Sequence, residues 1–366
     1  MELRSCRPAE RLDAIRLSRS VFKDNMAEQF AVLFGEQNVG RMFVAVDDAR
    51  VVAMVNYHFT PVLIGPSTIN VASVGSVCTD PAYRGRGLAS RLLRLAEEKM
   101  IAEGVHVVVI SGEGGIYAAF GSGFAGDMRE ASVPLDRLPP RGSVATVPYD
   151  ASYFPAVRRL YDADAVRFVR KDDEFRMLVR GQTFPDTFVD YDFRVILKDG
   201  VPAAYAILVL HKENDELGIK EMAGDRDVLR DALPLLCAGY GRKSVHFAAA
   251  PDDPLFGSVP PDCVKPIHQF ASFKIIDFPG MAERLLPQFR IKIGADAEKL
   301  AFDADRGAAT ISGFGTTLRI ADPRELVKIV FGCAGRIPSG ASGCLGEVLA
   351  ELFPVPFPWT HSVNYQ

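Results

Sequence analysis

No stretch of the chain approaches the roughly 18 uninterrupted apolar residues of a membrane-spanning helix, so no membrane partner is expected. The opening MELRSCRPAERLD is charged where a secretory signal would need an apolar core, and the expectation is a soluble cytoplasmic protein. Cysteine is sparse. Cys6, Cys78, Cys237, Cys263, Cys333 and Cys344 show no C-x-x-C spacing, which argues against a zinc site and against a disulfide framework. The six histidines lack H-x-x-x-H spacing, and no metal is expected. A net charge of -4 with pI near 5.9 gives no basic field, so nucleic acid is not expected as a partner. Long like-charge runs and low-complexity tracts are missing as well. What remains, 48% hydrophobic and 24% charged residues, is the make-up of a folded globular protein.

At 366 residues the chain exceeds one ordinary core and suits two or three domains of about 100–150 residues. Helical spacing of Leu12, Ile15, Leu17, Val21 and Phe22, then of Phe30, Leu33 and Phe34, predicts two helices in the first stretch. Met42 to Val46 and Val51 to Thr60 flank the polar break Asp47-Asp48-Ala49-Arg50 and read as a hairpin. A strand over about Thr68 to Cys78 leads to a helix carrying Leu88, Leu92, Leu95, Ala96 and Met100. Val105 to Ile110 then reads as a strand buried on both faces. Met128 to Leu135 reads as the strand closing this unit, with the stiff Leu138-Pro139-Pro140-Arg141-Gly142 as its boundary.

From about Val144 to Asp277 the same order recurs. Helix Phe154 to Tyr161 precedes a hairpin, Phe193 to Lys198 and Pro202 to His211, and then strand Leu217 to Ala223, helix Val228 to Ala238 and strand Ser244 to Ala249. Ala223-Gly224-Asp225-Arg226-Asp227, with two carboxylates, stands where the first unit has a glycine-rich turn. The last segment, about Pro279 to Gln366, is strand-like at Phe289 to Ile293 and Ala308 to Ser312 and helical at Pro323 to Val330. It ends in a proline-rich stretch, Leu352 to Trp359, expected to be an extended tail pinned by aromatics. The predicted fold class is α+β: two similar mixed sheets flanked by helices over residues 1–142 and 143–280, and a small α+β domain over 281–366.

Chemistry concentrates between Ser76 and Ser90. Binding a pyrophosphate without a metal needs several converging N–H groups, and a helix start supplies them together with a favourable dipole. Gly85 and Gly87 allow close approach, Arg84 and Arg86 add positive charge, and Pro81 ends the strand. A bare glycine pair would read as a tight strand-to-helix turn. Ser90 in place of a third glycine argues against a Rossmann site, and the absence of G-K-S or G-K-T argues against a Walker loop.

Arg84-Gly85-Arg86-Gly87-Leu88-Ala89 resembles the R/Q-x-x-G-x-G/A signature of the GCN5-related N-acetyltransferase (GNAT) superfamily. The resemblance implies acetyl-CoA as co-substrate. Its arm would lie along Val77, Cys78 and Thr79, with Arg84, Gly85, Arg86, Gly87, Leu88, Ala89 and Ser90 around the phosphates. Tyr117-Ala118-Ala119-Phe120-Gly121 resembles the family's Tyr-x-x-Phe-Gly segment, which makes Tyr117 the general acid for the leaving thiolate; Gly112 and Glu113 would border the thioester. Without that resemblance, Tyr117 would read as an aromatic plug in the core.

Over nearly its whole length the chain resembles the enhanced-intracellular-survival (Eis) class of acetyltransferases. The supports are Glu113 to Tyr117, the motif-less second repeat and the tail running to Asn364-Tyr365-Gln366. This resemblance implies a sterol-carrier-protein-like third domain, a homo-oligomer with a hexamer among its forms, and the α-carboxylate of Gln366 as catalytic base. Gln366 is polar where the class more usually ends in an aromatic or aliphatic residue. Glu28, Glu36 and Asp24 fall in the region that borders the acceptor in the superfamily; they read first as surface charges and second as an attraction for a cationic amine. His58 reads as a core or cleft histidine, with a base as the alternative. The activity implied is direct acetyl transfer from acetyl-CoA to a primary amine, either on a small cationic acceptor of aminoglycoside or polyamine type or on a lysine side chain. The alternative is a non-catalytic acyl-CoA-binding sensor or ligand-binding module, against which Tyr117 counts.

Overall fold

The computed structural model describes residues 1–112, 114–139, 142–184, 188–305, 307–333 and 343–365. Alternating side chains build the first sheet. In strand Arg50–Ile64, Val55 and Tyr57 face the helix Leu88–Ala102, while Met54 turns to the cluster under helix Arg11–Val21. The sheet runs in the order Glu2–Ser5, Met42–Asp47, Arg50–Ile64, Ser67–Thr79, Val107–Ile110, Ser272–Ile275 and Gly123–Phe124, and Val166–Phe168 pairs with the far half of Arg50–Ile64. Its first four strands are antiparallel. Ser67–Thr79 and Val107–Ile110 are parallel, joined across the helix Leu88–Ala102.

The second sheet repeats that order in Ala145–Pro148, Val189–Lys198, Val201–His211, Glu216–Gly224 and Ser244–Ala249, with Arg226–Gly239 as its crossover helix. The closing strands differ from expectation. Asp127–Pro134, read as the strand that completes the first unit, pairs with Ser244–Ala249 in the second sheet, where Ala131 and Val133 are buried. Reciprocally, Ser272–Ile275 pairs with Val107–Ile110 in the first sheet, burying Phe273 completely. The stiff 138–142 segment thus joins two strands of one sheet, and Pro140 and Arg141 lie outside the described residues.

The third unit is a three-stranded meander, Ala301–Asp305, Ala308–Gly313 and Thr316–Ile320, with helices Phe278–Ile293, Pro323–Phe331 and Gly343–Leu352. Phe289 to Ile293, expected as a strand, is the end of a helix. Met281, Leu285 and Phe289 recur at four-residue intervals on its buried side, whereas Ile291 is 70% exposed. This helix packs on Val71, Val107 and Val109 of the first sheet, so the third unit covers one end of that sheet's face.

Candidate active site

The strand Ser67–Thr79 is bulged where chemistry was expected. Its register against Arg50–Ile64 slips between Met54 and Asn56, and Ser76 sits at φ 54°, a left-handed conformation uncommon outside glycine. The Ser76 hydroxyl is 2.8 Å from that of Ser18, tying the bulge to the first helix. Val107–Ile110 pairs with Ser67–Thr79 only as far as Val74. Beyond it, Val77, Cys78 and Thr79 have no strand partner on that side among the described residues, which leaves backbone donors and acceptors for an extended ligand.

Asp80 organises the turn that follows, accepting the Ala82 N–H at 2.9 Å and pairing with Arg50. Gly85 and Gly87 adopt φ of 75° and 67°, so glycine is required there by backbone conformation alone. Gly87 is the N-cap of Leu88–Ala102, and among the described residues no side chain caps this helix start. Its first N–H groups therefore suit an anion. Leu88 is buried in the core and fixes the helix, Ala89 is half-buried and Ser90 is exposed. Arg84 and Arg86 bend back on their own loop, to the carbonyls of Thr79 at 3.3 Å and Ala82 at 3.2 Å, and add positive charge at the exposed rim.

The second repeat shows why the same place there cannot take a phosphate. Asp225 caps its crossover helix, accepting the N–H groups of Asp227 at 2.9 Å and Val228 at 3.1 Å. The carboxylate occupies the donors that the first repeat leaves uncapped. A Cβ on Gly224 would lie 2.4 Å from the Ala203 carbonyl, so this glycine serves strand packing.

Tyr117 lies in the short helix Gly115–Phe120, where the Ser122 N–H and hydroxyl both donate to its carbonyl, at 3.0 and 2.9 Å. Its ring lies on Gly112, where a Cβ would come within 2.7 Å of it. Burial raises the Tyr117 hydroxyl above its ordinary value, and the Cys78 and Tyr365 side chains add to the shift. Burial also pushes the Cys78 thiol up to about 12, which keeps it protonated near neutral pH and unfit to carry an acyl group. Glu113 lies outside the described residues.

The expected tail is extended and docked. Phe357 packs edge-on against Phe168, Phe273 and Phe331, and the Thr360 N–H donates to Gln269 at 2.9 Å. Farther on, Asn364 accepts from Arg170 Nε at 2.7 Å and the Tyr365 carbonyl accepts from Gln182 at 3.0 Å. The Tyr365 hydroxyl donates to the Ser111 carbonyl at 3.4 Å, just past the end of strand Val107–Ile110. Gln366 lies outside the described residues. His361, stacked 4.3 Å from Phe270, is pushed down to about 3 by burial, with the charge of Lys220 adding to it. Being depressed below the ordinary imidazole value, this group contributes stability that is full above about pH 6.5 and lost as pH falls toward 3.

Sequence reasoning missed the clamp on this tail. Arg170, 2% exposed, forks onto Glu221 at 2.9 and 2.6 Å while holding Asn364, and Tyr205 donates to Glu221 at 2.9 Å. Beside it, Lys220 is 7% exposed, skipped by the register between Glu216–Gly224 and Val201–His211, and 5.5 Å over the Tyr191 ring. It has no hydrogen bond or ion pair among the described residues. Burial pushes its ammonium down to about 8. A lysine depressed below its unfolded value of 10.5 costs stability in full below about pH 8, and the cost fades as pH rises to 10.5. Lys220→Met should therefore stabilise the chain at pH 7 by on the order of 3 kcal/mol, and chemical denaturation should show the gap closing toward pH 10. A variant no more stable than the parent at pH 7 would contradict this placement of the ammonium.

The carboxylates considered for a cationic acceptor are at the surface. Glu28 pairs with Arg19 at 2.6 Å, and Asp24 and Glu36 are exposed. Among the described residues, no three His, Cys, Asp or Glu side chains gather to hold a metal, and no helix is long and apolar enough to cross a membrane.

Residues 2–125 match the family model described as an acetyltransferase (GNAT) domain. No curated protein matches the chain. Among solved structures it is similar to a GCN5-related N-acetyltransferase from Kribbella flavida, with 17% identity, a TM-score of 0.66 and 98% of each chain covered. It is also similar to Eis1 from Mycobacterium abscessus, with 16% identity, a TM-score of 0.68, and 98% of this chain and 100% of that chain covered. A GCN5-related N-acetyltransferase from Anabaena variabilis gives 13% identity and a TM-score of 0.68 over 97% of this chain and 98% of that one. These likenesses show a shared α+β fold along the whole chain.

Proposed function

We propose that this acetyl-CoA-dependent acyltransferase, with its GNAT domain over residues 2–125, moves acetyl directly onto a primary amine, either of a small cationic acceptor of aminoglycoside or polyamine type or of a lysine side chain. One observation carries the reading: the unpaired edge of Val77 to Thr79, the uncapped helix start after Gly87 and the Tyr117 hydroxyl belong to one end of the first sheet. Acetyl-CoA supplies an activated thioester. Val77, Cys78 and Thr79 orient its arm, the turn from Arg84 to Ser90 holds its phosphates, and Gly112 and Glu113 border the reacting carbon. Tyr117 protonates the departing sulfur. Cys78, held as a thiol, supports direct transfer over a relay through an acyl-cysteine. A sensor that binds acyl-CoA without turnover needs no proton donor at the sulfur, and Tyr117 counts against it.

Likeness to the Eis class supports further proposals: domains at 1–142, 143–280 and 281–366, the first two exchanging closing strands; a sterol-carrier-like third domain; a cytoplasmic oligomer, up to a hexamer; and proton abstraction by the α-carboxylate of Gln366. Deleting Tyr365 and Gln366 should lower turnover about 10²-fold or more while coenzyme affinity holds, because the Tyr365 hydroxyl reaches the Ser111 carbonyl. Full activity after this deletion would make the tail purely structural. The reaction itself is tested by thiol release and product mass across polyamines, aminoglycosides and lysine peptides. Acetylated product with at least one of them is expected; none with any would leave the sensor reading.

A further inference from the structure

One face of strand Arg50–Ile64 carries Asn56, His58 and Thr60 at alternate positions. Their cross-strand partners are Gly75, Ser73 and Val71, so the row begins beside the bulge at Ser76 and runs away from it. The same face is apolar on either side. Met42, Val44 and Met54 join the cluster beneath the first helices, and Val62, Ile64 and Val71 join the cluster shared with the third unit. Polar groups in such a place are retained only at a cost unless they are bonded. Asn56 is 0% exposed, yet among the described residues neither its amide oxygen nor its nitrogen has a partner, and the Thr60 hydroxyl at 1% exposure lacks one too.

Between them, His58 Nε2 is 2.9 Å from Glu174 Oε1. Glu174 comes from helix Asp172–Gln182 of the second repeat, and Gln182 of that helix holds the carbonyl of Tyr365, whose hydroxyl reaches Ser111. The helix that meets His58 thus also fastens the tail over the candidate acyl-transfer site. Asp172 and Asp173 are exposed at its start, and the neighbour of His58 from strand Ser67–Thr79 is the neutral Ser73, so Glu174 is the charge that meets the imidazole.

Unsatisfied hydrogen-bonding groups on either side of an imidazole paired with a carboxylate have the parts of a proton path: groups to order water or acceptor, and one able to carry charge. We propose that Asn56, Thr60 and the His58–Glu174 pair form the proton outlet of the acyl-transfer site. The inference rests on the amine-acetylation reading. The acceptor ammonium gives up one proton to the tail carboxylate, which passes it on, and it ends on His58 as imidazolium beside the Glu174 carboxylate. The freed lone pair forms the C–N bond as the C–S bond breaks; the sulfur takes its proton from Tyr117, and the second proton lost by nitrogen restores the phenol. Asn56 and Thr60 are positioning residues. His58 differs from the tail carboxylate in being where the proton leaves.

The test is kcat/KM against pH in the full chain. With an aliphatic amine at pH 7, His58→Gln should lower kcat/KM by about 10²-fold or more, with coenzyme affinity by calorimetry unchanged. The loss should shrink toward about pH 10, where amines shed their proton unaided, and with an aromatic amine, which is already unprotonated at pH 7. Glu174→Gln should lower kcat/KM for the aliphatic amine and spare the aromatic one, since the carboxylate 2.9 Å from Nε2 orients the imidazole. Asn56→Leu should lower kcat for the aliphatic amine alone. Wild-type rates in His58→Gln, or an equal loss on both amines, would overturn the outlet while leaving the acetylation reading intact. Failure of the wild type on every amine would overturn both.

Discussion

Replacing Tyr117 by phenylalanine should cut turnover by about 10²–10⁴-fold and leave coenzyme affinity unchanged. The substitution keeps the ring that packs on Gly112 and removes only the hydroxyl. That hydroxyl is buried and raised above its ordinary value, so it remains a proton donor when the thiolate departs. Cys78 offers no substitute, because its thiol is pushed up to about 12 and its side chain is 4% exposed. Steady-state rates with single-turnover thiol release measure the loss. A rate within twofold of wild type would remove Tyr117 from the chemistry.

Gly87→Glu should abolish coenzyme binding altogether. Any side chain at φ 67° strains the backbone, and this one also sets a carboxylate at the uncapped start of Leu88–Ala102. The second repeat already shows such an arrangement, since Asp225 occupies the equivalent donors. Because a Cβ at Gly87 would meet no protein atom within 4 Å, the fold should survive. Calorimetry with coenzyme A should show no heat of binding; wild-type affinity would place the phosphates elsewhere.

Much of this candidate site was legible in the sequence because it is local. The turn from Arg84 to Ala89 and the segment from Gly112 to Gly121 are each contiguous, and their spacing survives without a structure. The alternation Asn56-Tyr57-His58-Phe59-Thr60 was visible too, but only the structure shows that two of its polar members lack partners among the described residues. What stayed hidden depends on distance along the chain. Arg170 meets Glu221 and Asn364, 51 and 194 positions away, and no pattern at any one of them foretells it. Nor does strand Asp127–Pro134 carry a mark of which sheet it joins, because alternation specifies a buried face and not a partner. At Phe289 to Ile293 the apolar alternation suggested a strand. The four-residue spacing from Met281, and a helix start where Asp277 accepts the Gly280 N–H at 3.0 Å, outweigh it.

The most direct test is a crystal structure of the chain with coenzyme A. The pyrophosphate should rest on the backbone N–H groups from Gly87 to Ser90, the arm should pair with Val77 to Thr79, and the sulfur should lie within hydrogen-bonding reach of the Tyr117 hydroxyl. Coenzyme A bound at the Asp225 turn, or a sulfur remote from Tyr117, would contradict the account.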